Sequence, residues 1–140
     1  MLLYNALVFP VYNYAIEIYG CASVCWLNRI QTTQNRLLKI LYFKPFLYRT
    51  DALHIDHNLL KIEDNYKLRL ALYLHKLYHY PNNIPEEFTD CLVKNNMIHS
   101  YPTHSHNNIY LTTNDYNSLG SIIAHASIVW NSLPELERNT

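Results

Sequence analysis

A chain of 140 residues is long enough for one hydrophobic core, and with only two glycines it lacks the usual supply for hairpin turns, strand bulges and phosphate-cradling loops. Eleven basic residues balance eleven acidic ones, so the chain as a whole is no electrostatic magnet for nucleic acid or membrane. These figures exclude a glycine-rich nucleotide site and favour long helices.

The apolar start through Trp26 is interrupted by Asn5, Pro10, Asn13 and Glu17. The interruptions are too frequent for a clean span of about 20 apolar residues. Nor is there a basic n-region or a small-residue cleavage site. Residues 2 to 19 read as helix, either one helix bent at Pro10 or two short ones, because an interior proline costs about 3 kcal/mol. Gly20 then supplies a C-terminal stop. From Trp26 to Tyr42 the apolar positions Trp26, Leu27, Ile30, Leu37, Leu38 and Leu41 fall on one side at helical spacing, with Arg29, Arg36 and Lys39 on the other. Lys44, Pro45 and Phe46 close that helix, and Thr50 is a candidate N-cap for a short helix through His54.

Residues 60 to 80 carry a stripe of Ile62, Tyr66, Leu70, Tyr73, Leu77 and Tyr80, with Leu68 and Leu72 on a second side, as in a helix packed between neighbours. Pro81-Asn82-Asn83 stops it. Residues 91 to 117, rich in Asn, His, Ser and Thr, read as loop with Tyr101 and Tyr110 as isolated anchors. A last helix follows, with Ser118 as cap, Leu119, Ile122, Ile123, Ala126, Val129, Trp130 and Leu133 on one buried face, and Pro134 as stop. The expected fold is all-α, an irregular bundle of about four to six helices with a loop-rich segment before the last.

Catalytic chemistry finds little support. His75 and His79 stand one helical turn apart, but Lys76 occupies the place of the glutamate in an H-E-x-x-H zinc site. His99, His104 and His106, with Cys91, match no compact zinc spacing, and Cys21 and Cys25 match neither a CxxC pair nor a zinc knuckle. Small buried thiols in a reducing, intracellular setting are expected instead, with no cofactor. No glycine-rich elbow presents a nucleophile, and the acids are scattered rather than convergent. The charge distribution says more. Residues 1 to 50 hold Arg29, Arg36, Lys39, Lys44 and Arg49 against Glu17 alone, a sum of 5 − 1 = +4, while residues 51 to 140 sum to 6 − 10 = −4. A basic helix face of this kind can contact phosphates; its plainer reading is a solvated surface.

Several segments together carry a resemblance. Residues 3 to 20, running Leu3-Tyr4-Asn5-Ala6-Leu7-Val8-Phe9-Pro10 and ending at Tyr19-Gly20, resemble the pattern L-Y-x-A-L-V-x-P-x-L-x-Y-x-x-x-x-W-G of non-LTR, Jockey-like retrotransposon reverse transcriptases. Thr33-Gln34-Asn35-Arg36-Leu37-Leu38-Lys39-Ile40-Leu41 is similar to that family's L-Q-K-R-A-x-R-I-I, with basic residues corresponding at Arg36 and Lys39. Leu60-Lys61-Ile62 with Tyr66 and Lys67, then His99-Ser100-Tyr101-Pro102-Thr103, then Trp130-Asn131-Ser132-Leu133-Pro134 continue the series in order. Departures stand at Tyr19 for tryptophan, His104 for arginine and Ala126-Ser127 for glycine-proline.

The resemblance implies material downstream of a polymerase core. In that family an upstream Tyr-x-Asp-Asp motif brings carboxylates to two magnesium ions, and this sequence has no Asp-Asp pair. The expectation is a thumb-like region over residues 1–80 and a loop-rich extension over 81–140, without polymerase or endonuclease residues. Arg29, Arg36, Lys39, Lys44 and Arg49 would contact the backbone of RNA or an RNA–DNA hybrid. The other expected partner is the polymerase core, and no membrane is expected. The competing expectation is a structural or protein-interaction module, a domesticated or decaying transposon remnant without activity.

Overall fold

The structure, a computed structural model, describes residues 2–80, 93–100, 106–110 and 122–134. Among these residues helices dominate, no strand forms, and one isolated antiparallel bridge joins Lys94 to Ile109, so the fold is all-α as expected. The chain divides into two compact units, Met1–Tyr66 and Lys67–Thr140. No described helix is long and apolar enough to cross a membrane.

In the first unit a π-helical turn, Tyr4–Val8, leads into α1, Phe9–Asn13. Pro10 lies in the first turn of α1. A proline ring collides with the carbonyl four residues back in a regular helix. The wider π register, in which the Phe9 N–H reaches the Tyr4 carbonyl, relieves that crowding. Helical structure therefore passes through Pro10 and breaks later, at extended Tyr14 (ψ 119°) and left-handed Ala15 (φ 51°).

Helix α2, Ile16–Tyr19, ends at Gly20, whose φ of −65° any residue can adopt. The glycine serves closeness instead. A Cβ there would lie 2.1 Å from Cδ2 of Tyr66 and 2.6 Å from the Ile16 carbonyl oxygen.

Helix α3, Val24–Leu41, restarts after Ser23, so Cys21 and Cys25 do not share a helix. The Cys21 thiol, half-buried, donates to the Ile18 carbonyl at 3.0 Å, while Cys25 is exposed on the outer side of α3. The expectation of two buried thiols is corrected at Cys25. Leu38 is fully buried; Leu27, Ile30, Leu37 and Leu41 are half-buried. Trp26, expected on the buried face, is 59% exposed, because the interior stripe of α3 runs through Gln34 and Leu38 and does not extend to its first turn.

Helix α4, Thr50–Asp56, begins with Thr50 already helical. Arg49 takes the cap position and no side chain caps the helix, so the N-cap expectation for Thr50 fails. Tyr4, Leu38 and Leu53 form the centre of the first core, with Val8, Leu41, Tyr42, Tyr48 and Leu59 around it. Each fully buried aliphatic side chain contributes about 1.5–3 kcal/mol. On the surface Asp51 meets Lys61 at 2.9 Å, and the ammonium holds the Asp51 carboxyl below the usual carboxylate range.

Burial also raises the hydroxyls of Tyr4, Tyr12 and Tyr19, and pushes Tyr66 up to about 12. An unfolded tyrosine ionises near pH 10. Between these values the unfolded chain releases protons that the folded chain keeps, so stability is complete below about pH 10 and is lost as pH rises through about 12. The urea midpoint should fall steadily across that window, and less steeply in Tyr66→Phe. A midpoint independent of pH there would contradict the burial of these rings.

Helix α5, Ile62–His79, runs into the second unit, where Leu70, Leu74 and Leu77 are buried. Leu68 and Leu72, the expected second apolar side, are 46% and 49% exposed, so that side is not enclosed among the described residues. The segment expected as loop contains a helical turn, α6, Asn95–Ile98. It also contains the Lys94–Ile109 bridge, with the Tyr110 N–H donating to the Val93 carbonyl at 2.8 Å. Ser118, Leu119 and Tyr101 lie outside the described residues.

Helix α7, Ile122–Ser132, buries Ile123, Ala126 and Trp130, and the indole lies 6.1 Å from the ring of Tyr78. Asn131 explains the polar residue after that tryptophan. Its side chain accepts from the Ile109 N–H at 2.9 Å and donates to the Ile109 carbonyl at 3.0 Å, as a neighbouring strand would. Ile109 itself is buried, so its peptide needs those partners.

Candidate nucleic-acid interface

The inner face of α3 is held by amides as much as by apolar contact. Gln34, 2% exposed, donates through Nε2 to the Tyr4 hydroxyl at 2.7 Å and to the Leu60 carbonyl at 3.1 Å. Gln31 accepts from the Ile62 N–H at 2.8 Å, satisfying a donor at the start of α5 that no residue of α5 can reach. Its own Nε2 donates to Gln34 Oε1 at 2.8 Å and to Asn35 Oδ1 at 2.9 Å. Asn35 Oδ1 in turn faces His54 Nε2 at 3.1 Å, and His54 Nδ1 donates to the Leu59 carbonyl at 3.1 Å. A chain of polar contacts thus ties α3 to the chain's first turn, to α4 and to the start of α5. Periodicity gave no sign of it, since glutamine and asparagine in a helix usually mark solvent.

Fixing that face fixes the opposite one. Arg29 and Arg36 are exposed, and their separation of seven residues places them two turns apart along one side, a rise of about 10.5 Å. The Arg29 guanidinium lies over the Trp26 ring, 4.6 Å from its centroid, and the residue remains exposed. Lys39 is different. It is half-buried, donates to the Phe46 carbonyl, and lies 5.4 Å from the Phe46 ring.

Lys44 and Arg49 are both exposed and flank the turn between α3 and α4, with the Lys44 ammonium 5.1 Å from the Tyr48 ring. None of the five cations forms an ion pair among the described residues. The structure therefore gives one helix face with two exposed guanidinium groups, and a turn where two ammonium groups pack against aromatic rings beside exposed Arg49. That packing was not anticipated. Its signal in the sequence was the alternation Phe43-Lys44-Pro45-Phe46 with Tyr48-Arg49.

The histidines assemble differently. His75 and His79 have ring centroids 4.2 Å apart, and His99 meets Tyr110 edge-on at 6.0 Å. Among the described residues no group of three His, Cys, Asp or Glu side chains converges as a metal site, and Cys91 and His104 lie outside those residues.

The ordered sequence landmarks imply a reverse-transcriptase-related region, and comparison with known proteins agrees on that point. Over 70 residues, half of this chain, the sequence is 34% identical to the probable RNA-directed DNA polymerase from transposon BS of Drosophila melanogaster, of which it covers 8%. Over 82 residues, 59% of the chain, it is 30% identical to the RNA-directed DNA polymerase from mobile element jockey of Drosophila funebris, of which it covers 9%. The jockey polymerase of Drosophila melanogaster is 25% identical over 93 residues, 66% of this chain and 10% of that protein. No family model and no solved structure matches.

The chain is a region related to non-LTR retrotransposon reverse transcriptases. Its kinship lies with the RNA-directed DNA polymerases of Jockey-like and BS elements, of whose length it spans a tenth or less.

Proposed function

We propose that this chain acts as a non-catalytic, thumb-like part of a retrotransposon RNA-directed DNA polymerase, holding the backbone of template and primer while the chemistry is done by a polymerase core elsewhere in the parent protein. The observation that carries this reading is the outer face of α3, where Arg29 and Arg36 stand exposed, without acidic partners among the described residues, while the inner face is locked by buried amides. Backbone binding needs little more than accessible cations on a rigid element, and such binding carries no base sequence information. Lys39, Lys44 and Arg49 extend the positive surface toward the turn before α4. The partners are RNA or an RNA–DNA hybrid and the polymerase core. An intracellular, reducing setting suits the unpaired thiols of Cys21 and Cys25.

The test is the triple substitution Arg29→Ala, Arg36→Ala and Lys39→Ala, with binding of an RNA–DNA hybrid measured across a salt series. Affinity at low salt should fall about tenfold or more, and the slope of log affinity against log salt should flatten by about 2 to 3 units, near 0.9 for each phosphate no longer neutralised. Wild-type binding by the variant would refute the assignment. If the unmodified chain also self-associated without nucleic acid, the reading as a protein-interaction module would replace it, because Leu2, Leu3, Leu7 and Val11 are all exposed near its start.

A further inference from the structure

We propose that the turn after α3, from Phe43 to Leu47, is a stacking platform for the unpaired bases of a single-stranded polynucleotide. The inference rests on the backbone-binding reading of α3 and adds to it a surface that recognises bases rather than phosphates.

Three large apolar side chains stand in water here: Phe43 is 96% exposed, Leu47 91% and Phe46 75%. They are held there by an ordered backbone. Phe43 is left-handed, with φ 51°, a conformation that β-carbon crowding disfavours, and its N–H donates to the Ile40 carbonyl at 3.2 Å. The Lys44 N–H reaches the Lys39 carbonyl at 2.8 Å, the Tyr48 N–H reaches the Pro45 carbonyl at 3.0 Å, and the Lys39 ammonium ties down the Phe46 carbonyl. Pro45 removes further freedom from the turn. A left-handed phenylalanine at the tip of a well-bonded turn places its ring outward at a conformational cost, and loses little further freedom when a ligand arrives.

Charge identifies the occupant. The Lys39 ammonium lies 5.4 Å from the Phe46 ring and the Lys44 ammonium 5.1 Å from that of Tyr48, and exposed Arg49 follows Tyr48 in the chain. The centre of a protein–protein interface is depleted of lysine, which argues against a protein partner for a patch with a lysine between its two phenylalanines. A polyanion with flat, unpaired faces uses both elements: phosphates meet the cations while bases stack on the rings. Paired bases in a duplex offer no free face, so the platform separates single strands from duplexes.

The full chain should be titrated into a 12-nucleotide oligouridine carrying a central 2-aminopurine, in RNA and DNA versions, beside an RNA–DNA hybrid and inorganic polyphosphate. We expect the wild type to quench the 2-aminopurine. The double substitution Phe43→Ala and Phe46→Ala should abolish the quenching and weaken single-strand binding about tenfold, a factor that stacking alone supplies. Polyphosphate and hybrid affinities and the salt slope should be unchanged, and Phe43→Trp should retain the quenching. Both rings are exposed, so helical content by circular dichroism should match the wild type. Unaltered single-strand binding by the double variant, with hybrid binding still dependent on Arg29 and Arg36, overturns the platform and leaves the backbone reading intact. Loss of quenching with hybrid binding indifferent to those arginines overturns the backbone reading alone. Absence of binding to every probe overturns both.

Discussion

Replacing Gly20 with alanine should destabilise the first unit by about 3 kcal/mol, near the upper end of what overpacking usually costs. The added carbon would fall 2.1 Å from Cδ2 and 2.5 Å from Cγ of Tyr66. Those are atoms at the root of a ring rather than the end of a flexible chain, so the ring cannot swing aside without moving α5. Tyr66 is itself buried and adjoins Asn65, whose side chain donates to Asn13 Oδ1 at 3.3 Å, so a shift would propagate along both helices. Urea unfolding followed by circular dichroism measures the loss. In a Tyr66→Ala background, where the ring is gone, the same glycine substitution should cost about 1 kcal/mol or less, the remainder reflecting the Ile16 carbonyl at 2.6 Å. Additive effects of the two changes would show that Gly20 and Tyr66 do not pack as described.

The second large effect is expected at Gln34. Leucine in its place preserves most of the volume but removes the donor to the Leu60 carbonyl and to the Tyr4 hydroxyl, and the acceptor for Gln31. Each buried group left without a partner costs about 1–3 kcal/mol. With some relaxation of Gln31 the total should be about 3 kcal/mol, despite the gain in apolar surface. Adding Tyr4→Phe should return about 1 kcal/mol, because the orphaned hydroxyl is then absent. The pair of variants separates network from size: a Gln34→Leu protein as stable as the wild type would mean that the amide contributes nothing beyond filling space. If the backbone reading of α3 is right, Gln34→Leu should also weaken hybrid binding while leaving its salt slope unaltered, since it loosens the helix without removing a cation.

The sequence landmarks and these two sites are connected. Gln34 stands at the glutamine of the L-Q-K-R-like segment and Gly20 at the glycine that closes the first pattern, yet neither carries chemistry. Both hold neighbouring segments against each other. Asn131, in the Trp-Asn-Ser-Leu-Pro segment, does the same in the second unit by pairing with the peptide of Ile109. At these three positions the landmark residue is one whose size or hydrogen-bonding capacity a packed backbone demands.

The long helices and their apolar stripes were legible from residue order alone, because a helix repeats every 3.6 residues and its buried side must repeat with it. The basic side of α3 and the scarcity of turn-forming glycine were also legible there, and the kinship with retrotransposon polymerases was legible through the resemblance of its ordered motifs. What one-dimensional order could not decide was which of several equivalent positions meets another segment. Trp26 and Leu72 obey the same spacing as Leu38 and Leu70, yet they are exposed because no neighbouring element covers them among the described residues. Gln34 breaks the apolar rule and is buried, because a carbonyl from residue 60 and a hydroxyl from residue 4 arrive to meet it. Only the tertiary structure brings those distant partners together, since hydrogen bonding and close packing depend on separation in space, while periodicity records only separation along the chain.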